Sequence, residues 1–174
     1  MARGYIYHVV SDPDNLGSMT ASNFYNDLDA LCVDFTQNSV PETALRNTNC
    51  LAKTLEHDGF VIRPDTEAAD EGREAAAFVL ETKDQADLDA CRRRYFKPML
   101  EELKKEVAAM DLDTFSSERC NTYSMTSKIN DSYGDAIYLD VSECGGTIYT
   151  MHEFIRSLNP DTTYYVAQNT VLMH

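Results

Sequence analysis

Two strand-like runs, FVIRP (60–64) and AAAFVLET (75–82), follow one another in the chain, with one polar stretch, DTEAADEGRE (65–74), between them. Both runs carry the Val, Ile and Phe that suit a pleated, half-buried surface. Strands that are neighbours in sequence and directly joined pair as a hairpin, so this part of the chain is committed to an antiparallel sheet. The connection is longer than the roughly 2–5 residues of an ordinary hairpin loop. Its five carboxylates face a single arginine, and the stretch reads as a solvated tip.

The remaining elements fit the same architecture. GYIYHVV (4–10) reads as a strand and SDPDNLG as the turn after it. Phe24, Leu28, Leu31 and Phe35 fall on one helical face, entered through Ser18 or Thr20. Ser39 and Glu42 form a capping-box pattern, with Pro41 in the first turn and Gly59 past the end. Leu45, Thr48, Leu51, Ala52 and Leu55 make the expected buried face of that helix, and His57 suits its negative C-terminal end. From Asp84 to Met110 a long helical pattern places Leu88, Tyr95, Phe96, Met99, Leu103 and Val107 together, and Pro98 predicts a kink or break within it. One or two shorter helices are expected up to Gly134, then a strand at AIYLDV and a turn at ECGG. Thr150 and Glu153 form a second capping box that opens MHEFIRSL, and NPDT stops it. The tail TYYVAQNTVLM reads as a hairpin turning at Gln168–Asn169. This order of elements predicts one α+β domain over residues 1–174, with a mainly antiparallel sheet packed against helices.

The charge is the unusual quantity. Twenty-nine Asp and Glu against 15 Lys and Arg leave −14, so strong direct binding to free nucleic acid, which attracts Lys and Arg, is not expected. A strongly negative field favours solubility and basic partners. With 43% hydrophobic residues the chain can build a core, and no apolar run approaches the roughly 18 residues of a membrane span. MARGYIYHVV lacks the features of a signal peptide, which makes the expected location cytoplasmic. Cys32, Cys50, Cys91, Cys120 and Cys144 are odd in number and widely spaced, which points to reduced thiols; Cys32 and Cys50 read as small core residues.

A search for chemistry finds no catalytic signature. His8, His57, His152 and His174 are far apart, and His152–Glu153 lacks the second histidine of a zinc-protease helix. Gly145–Gly146 is a turn pair, not a phosphate cradle. The close carboxylates Asp27 and Asp29, Asp87 and Asp89, and Asp111 and Asp113 are what a chain this acidic yields by chance, and DSYGDAIYLD (131–140) lacks EF-hand spacing. No enzyme, metal or cofactor is assigned. The one basic run, RRRYFK (92–97), reads as the solvated face of a helix balanced by Glu101, Glu102 and Glu106. Between residues 65 and 89 nine acidic residues stand against Arg73 and Lys83. The candidate partner-binding face is therefore Asp65, Glu67, Asp70, Glu71, Glu74, Asp84, Asp87 and Asp89.

Three stretches, MARGYIYHVVSDPDNLGSMTASNFY, YGDAIYLD and TYYVAQNTVLMH, together resemble a family of small acidic proteins encoded in gut Clostridia and their mobile elements. One branch of that family resembles a type II anti-CRISPR protein, an inhibitor of Cas9. No site motif of the family maps onto particular residues here. The resemblance implies an interaction protein whose partner is Cas9 with its guide RNA. Such effectors hold nucleic acid in positively charged channels, which an acidic, nucleic-acid-mimicking surface would fit. The alternative is a soluble accessory protein of bacterial or mobile-element origin with no Cas9 role, whose acidity serves solubility alone.

Overall fold

The computed structural model describes residues 4–17, 36–116, 122–130, 135–140 and 146–173. In order they form β1 (Gly4–Val10), a 3₁₀ turn (Pro13–Asn15), β2 (Thr36–Asn38), α1 (Pro41–His57), β3 (Val61–Arg63), α2 (Ala68–Glu71), β4 (Phe78–Glu81), α3 (Gln85–Ala108), α4 (Leu112–Ser116), α5 (Thr122–Asn130), β5 (Ala136–Asp140), β6 (Thr147–Thr150), α6 (Met151–Ser157) and β7 (Thr163–Met173). The helix expected around Phe24–Phe35 lies outside the described residues.

The strands form one seven-stranded sheet in the order β3-β4-β7-β1-β5-β6, with β2 pairing β7. The chain is an α+β domain, as expected, and its sheet is mostly antiparallel. The exception is β1 with β5, which pair in parallel from Ile6↔Ala136 to Val10↔Asp140. β7 is the organising strand. Val166 is flanked by Phe78 of β4 and Val9 of β1, and Val171 by Asn38 of β2 and Ile6 of β1.

The tail is thus one central strand and not the expected hairpin. Gln168 and Asn169 fall at a bulge, where β7 passes from Val166 to Thr170 while β1 passes from Val9 to Tyr7. The bulge takes up the extra residues, and Gln168 Nε2 donates to the Ala75 carbonyl at 3.1 Å. Backbone partners on both flanks outweigh the weak turn preference of Gln-Asn.

One face of the sheet carries the main core. Tyr7, Val9, Phe78, Leu80, Ile137, Tyr164 and Val166 pack with Leu51 and Leu55 of α1, Leu88 and Tyr95 of α3, and Phe154 and Ile155 of α6. Val10, Leu16, Ala76, Val79, Tyr165 and Ala167 form a second cluster.

α1 begins at Pro41 with Val40 as its N-cap and no side-chain cap, so Ser39 does not form the expected capping box. Ser39 instead donates its N–H to Thr170 O at 3.0 Å, which draws it toward β7. The buried face of α1 holds Ala44, Asn47, Thr48, Leu51 and Leu55, while Leu45 is 55% exposed. The end of α1 is the expected one. Gly59 has φ 91°, and its N–H and that of Phe60 donate back to Glu56 and Leu55 carbonyls, closing the helix in a left-handed cap.

α3 runs without a break through Pro98, which lies on its exposed side, where water can reach the carbonyl that the ring leaves unbonded. α6 opens with the expected capping box: Thr150 Oγ1 accepts from Glu153 N at 3.2 Å, and Glu153 Oε2 accepts from Thr150 N at 2.9 Å.

The basic run is exposed at Arg93, Arg94 and Lys97, as expected of a solvated face, but two of its arginines also bind helix ends. Arg92 donates to the carbonyls of Ile155 (3.1 Å), Arg156 (2.9 Å) and Leu158, and so closes the C-terminal end of α6. Arg94 Nε donates to Asp58 O at 2.8 Å and does the same for α1. Arg93 and Arg94 are both exposed, and Arg93 alone of the three makes no such cap. Guanidinium donors suit the negative end of a helix both by hydrogen bonding and by charge.

Candidate functional site

The stretch 65–74 is an ordered, clasped loop with one buried ion pair, and not simply a wet tip. Asp65 accepts from Arg73 Nη1 at 2.7 Å and Nη2 at 3.0 Å, and from the Ala76 N–H at 2.9 Å. The Asp65 side chain is fully buried and that of Arg73 is 8% exposed. The guanidinium beside it holds the Asp65 carboxyl down at about 2, aided by the Ala76 N–H. Arg73 also donates from Nε to Glu71 at 2.6 Å, and its guanidinium carbon lies 5.2 Å from the Tyr165 ring centroid. Burial raises the Tyr165 phenol. Between the two charged partners, Ala68 anchors α2 in the protein, and Gly72 at φ 68° turns the chain back toward β4.

This clasp separates the candidate residues by role. Asp65 is spent on structure. Glu67, Asp70, Glu71 and Glu74 are exposed, and of their carboxylates that of Glu71 shares Arg73, while Glu74 takes a bond from it only at its backbone carbonyl. The second group lies past the other end of β4, so the strand stands between the two sets and they form two patches. There Asp84 is the N-cap of α3 and accepts from Asp87 N at 3.0 Å. Asp87 lies 4.0 Å from Lys83. Asp89 accepts from Gln85 Nε2 at 2.8 Å and Arg92 Nη1 at 3.4 Å. The helix end and two nearby cations hold this group, which leaves the loop as the less compensated of the two.

Sequence reasoning missed Arg73 as the residue that organises the loop. Its signal was a single cation among five carboxylates, but no spacing rule says which carboxylate it would bury.

The other titratable groups have structural surroundings. Asp135 accepts from Tyr5 N at 2.9 Å and Tyr7 Oη at 3.2 Å, which ties the start of β5 to β1. Burial, then the Asp135 charge, pushes the Tyr7 phenol far up. His152 sits edge-on to Tyr95 and Phe96. Lys128 of α5 bridges Glu102 (3.3 Å) and Glu106 of α3. Cys91 is a buried free thiol whose Sγ donates to Gly59 O at 3.2 Å. Cys50 is free and exposed, not the core residue expected. Cys32, Cys120, Cys144 and His174 lie outside the described residues. Among the described residues no three His, Cys, Asp or Glu side chains gather to hold a metal ion, and no helix is long and apolar enough to cross a membrane.

Compared with known proteins, the chain matches no family model, no curated protein and no solved structure.

Proposed function

We propose that this chain is an interaction protein of the anti-CRISPR type, which inhibits Cas9 by binding the effector or its guide complex through an acidic surface. The observation that carries the reading is the clasped loop. Asp65 and Arg73 neutralise each other inside it, so Glu67, Asp70 and Glu74 are exposed on a frame that is already ordered. Charge fixed before binding loses less conformational entropy on association than charge on a floppy loop. On a chain of −14 such a patch is attracted to a basic nucleic-acid channel, with carboxylates standing where phosphates would lie.

The resemblance to the Clostridial family supplies the identity of the partner. Its three stretches contain β1, β5 and β7, which lie side by side in the sheet. The likeness therefore concerns the core, and the contact chemistry is read from this chain's own loop. The role requires no cofactor, metal or catalytic step, and places the protein in the cytoplasm with the effector, away from membranes.

The experiment is a target-cleavage assay with guide-loaded Cas9 in the presence of the purified chain, joined to association rates at two salt concentrations. Wild type should block cleavage and bind more slowly as salt rises. The variant E67Q/D70N/E74Q, which spares the buried pair, should associate at least about tenfold more slowly, a loss of about 1.4 kcal/mol. Absence of binding by the wild type overturns the Cas9 reading. Equal rates for the two proteins move the contact away from the loop.

A further inference from the structure

Leu100 and Val107 stand two turns apart on one side of α3 and are 50% and 55% exposed; α4, directly after it, leaves Leu112 78% and Phe115 62% exposed. Scattered apolar residues are normal on any surface, but these follow one another along a single stretch of chain. The charges around them are ordered. Arg93 and Lys97 precede Leu100, Glu101 follows it, Lys104 and Lys105 come next, and Asp111 and Asp113 lie beyond Val107. Glu102 and Glu106 are not part of that order, since both are turned to Lys128 of α5. Basic–acidic–basic–acidic in one direction is acidic–basic–acidic–basic in the other. A second copy of the chain laid antiparallel along α3 therefore brings each charged group within about a turn of one of opposite sign.

We propose that α3 and α4 form the interface of a symmetric homodimer, in which the α3 helices of two copies pack antiparallel. The two-fold axis passes beside Leu103 and Lys104. Leu100 then faces Val107 of the second copy, Glu101 lies by its Lys104 and Lys105, and Arg93 and Lys97 lie at the end that carries its Asp111. This is the pairing by flanking charges that sets partner and orientation in helical zippers.

A basic partner is a poorer fit, because Arg93, Lys97, Lys104 and Lys105 border the same stripe. The solvated Glu101–Lys104 pair at 3.1 Å within one chain contributes little and can be exchanged for contacts across the interface. The −14 on each copy opposes association at long range, but salt screens that repulsion beyond about 8 Å. Packed helices lie about 8–10 Å apart, with their facing charges nearer than that, so local complementarity prevails over net charge.

Sedimentation equilibrium of the full chain tests this. Wild type is expected to be dimeric at about 100 µM, with a mass that falls on dilution. L100E/V107E should be monomeric with an unchanged melting temperature, since both positions are exposed. E101K and K105E, each alone, should weaken self-association at least about tenfold. Mixed together they should recover it as a heterodimer, because each contact then again joins opposite charges. A single-chain mass for wild type up to about 1 mM overturns the proposal. So does self-association of L100E/V107E equal to wild type, or a mixture of the charge variants no tighter than either alone.

Discussion

The two Nη atoms of Arg73 lie 2.7 and 3.0 Å from the two carboxylate oxygens of Asp65, fork to fork, with both side chains withdrawn from solvent. This pair turns a charged hairpin connection into a fixed one, because the same carboxylate also holds the Ala76 N–H at the entrance to β4. The folded Asp65 carboxyl sits at about 2, below its ordinary 3.8. Its contribution is therefore complete above pH 4 and is lost as pH falls toward 2, where the native state must take up the proton it had refused. Asp65→Asn should melt below wild type at pH 7, and the gap should narrow between pH 4 and pH 2. Thermal melts of both proteins across that range check it; a gap that stays constant with pH would remove the pair from the account.

Arg92 and Arg93 are neighbours with different duties. Arg92→Gln leaves carbonyls at the end of α6 without their charged donor and should cost about 1.5–3 kcal/mol. Arg93→Gln, at an exposed position, should stay within about 0.5 kcal/mol of wild type. Urea unfolding of the two variants side by side measures the difference.

Gly59→Ala should destabilise by about 1–3 kcal/mol. A side chain is strained at φ 91°, and a Cβ there would lie 2.1 Å from Nη2 of Arg94, the residue that caps α1. Equilibrium unfolding reads this directly, and an unchanged midpoint would mean that the α1 terminus adapts freely.

His8 introduces a second pH dependence, of a different origin. It is 3% exposed, its ring lies 5.8 Å from that of Tyr138, and neither ring nitrogen has a hydrogen-bond partner. Burial lowers its pKa below 6.5, with Asp140 opposing the shift. Below the ordinary pKa of 6.5 the unfolded chain then binds more proton than the folded chain. Stability is complete above about 6.5 and falls as pH drops toward the depressed value, by at most about 1.4 kcal/mol per pH unit. His8→Leu should gain on wild type as pH falls from 7 to 5. Denaturant titrations at several pH values test this, and parallel pH profiles would count against it.

The features legible in the sequence are those whose partners lie within a few residues. Thr150 and Glu153 cap α6 because each reaches the other's backbone three residues away. Gly59 ends α1 because only glycine takes that backbone angle at little cost. The aromatic and β-branched residues of GYIYHVV make β1 whichever strand it pairs with.

Tertiary structure decided the rest, since the competing interactions come from distant chain. Ser39 forgoes its local cap for a bond to Thr170, and the tail stays straight because β4, β2 and β1 take up its backbone groups. Arg92 and Arg94 reach helix ends more than thirty residues away. Which of five loop carboxylates would be buried against Arg73 depended on where Ala76 and Tyr165 are held by the sheet. Composition set the charge of this surface; the fold set which charges remain available to a partner.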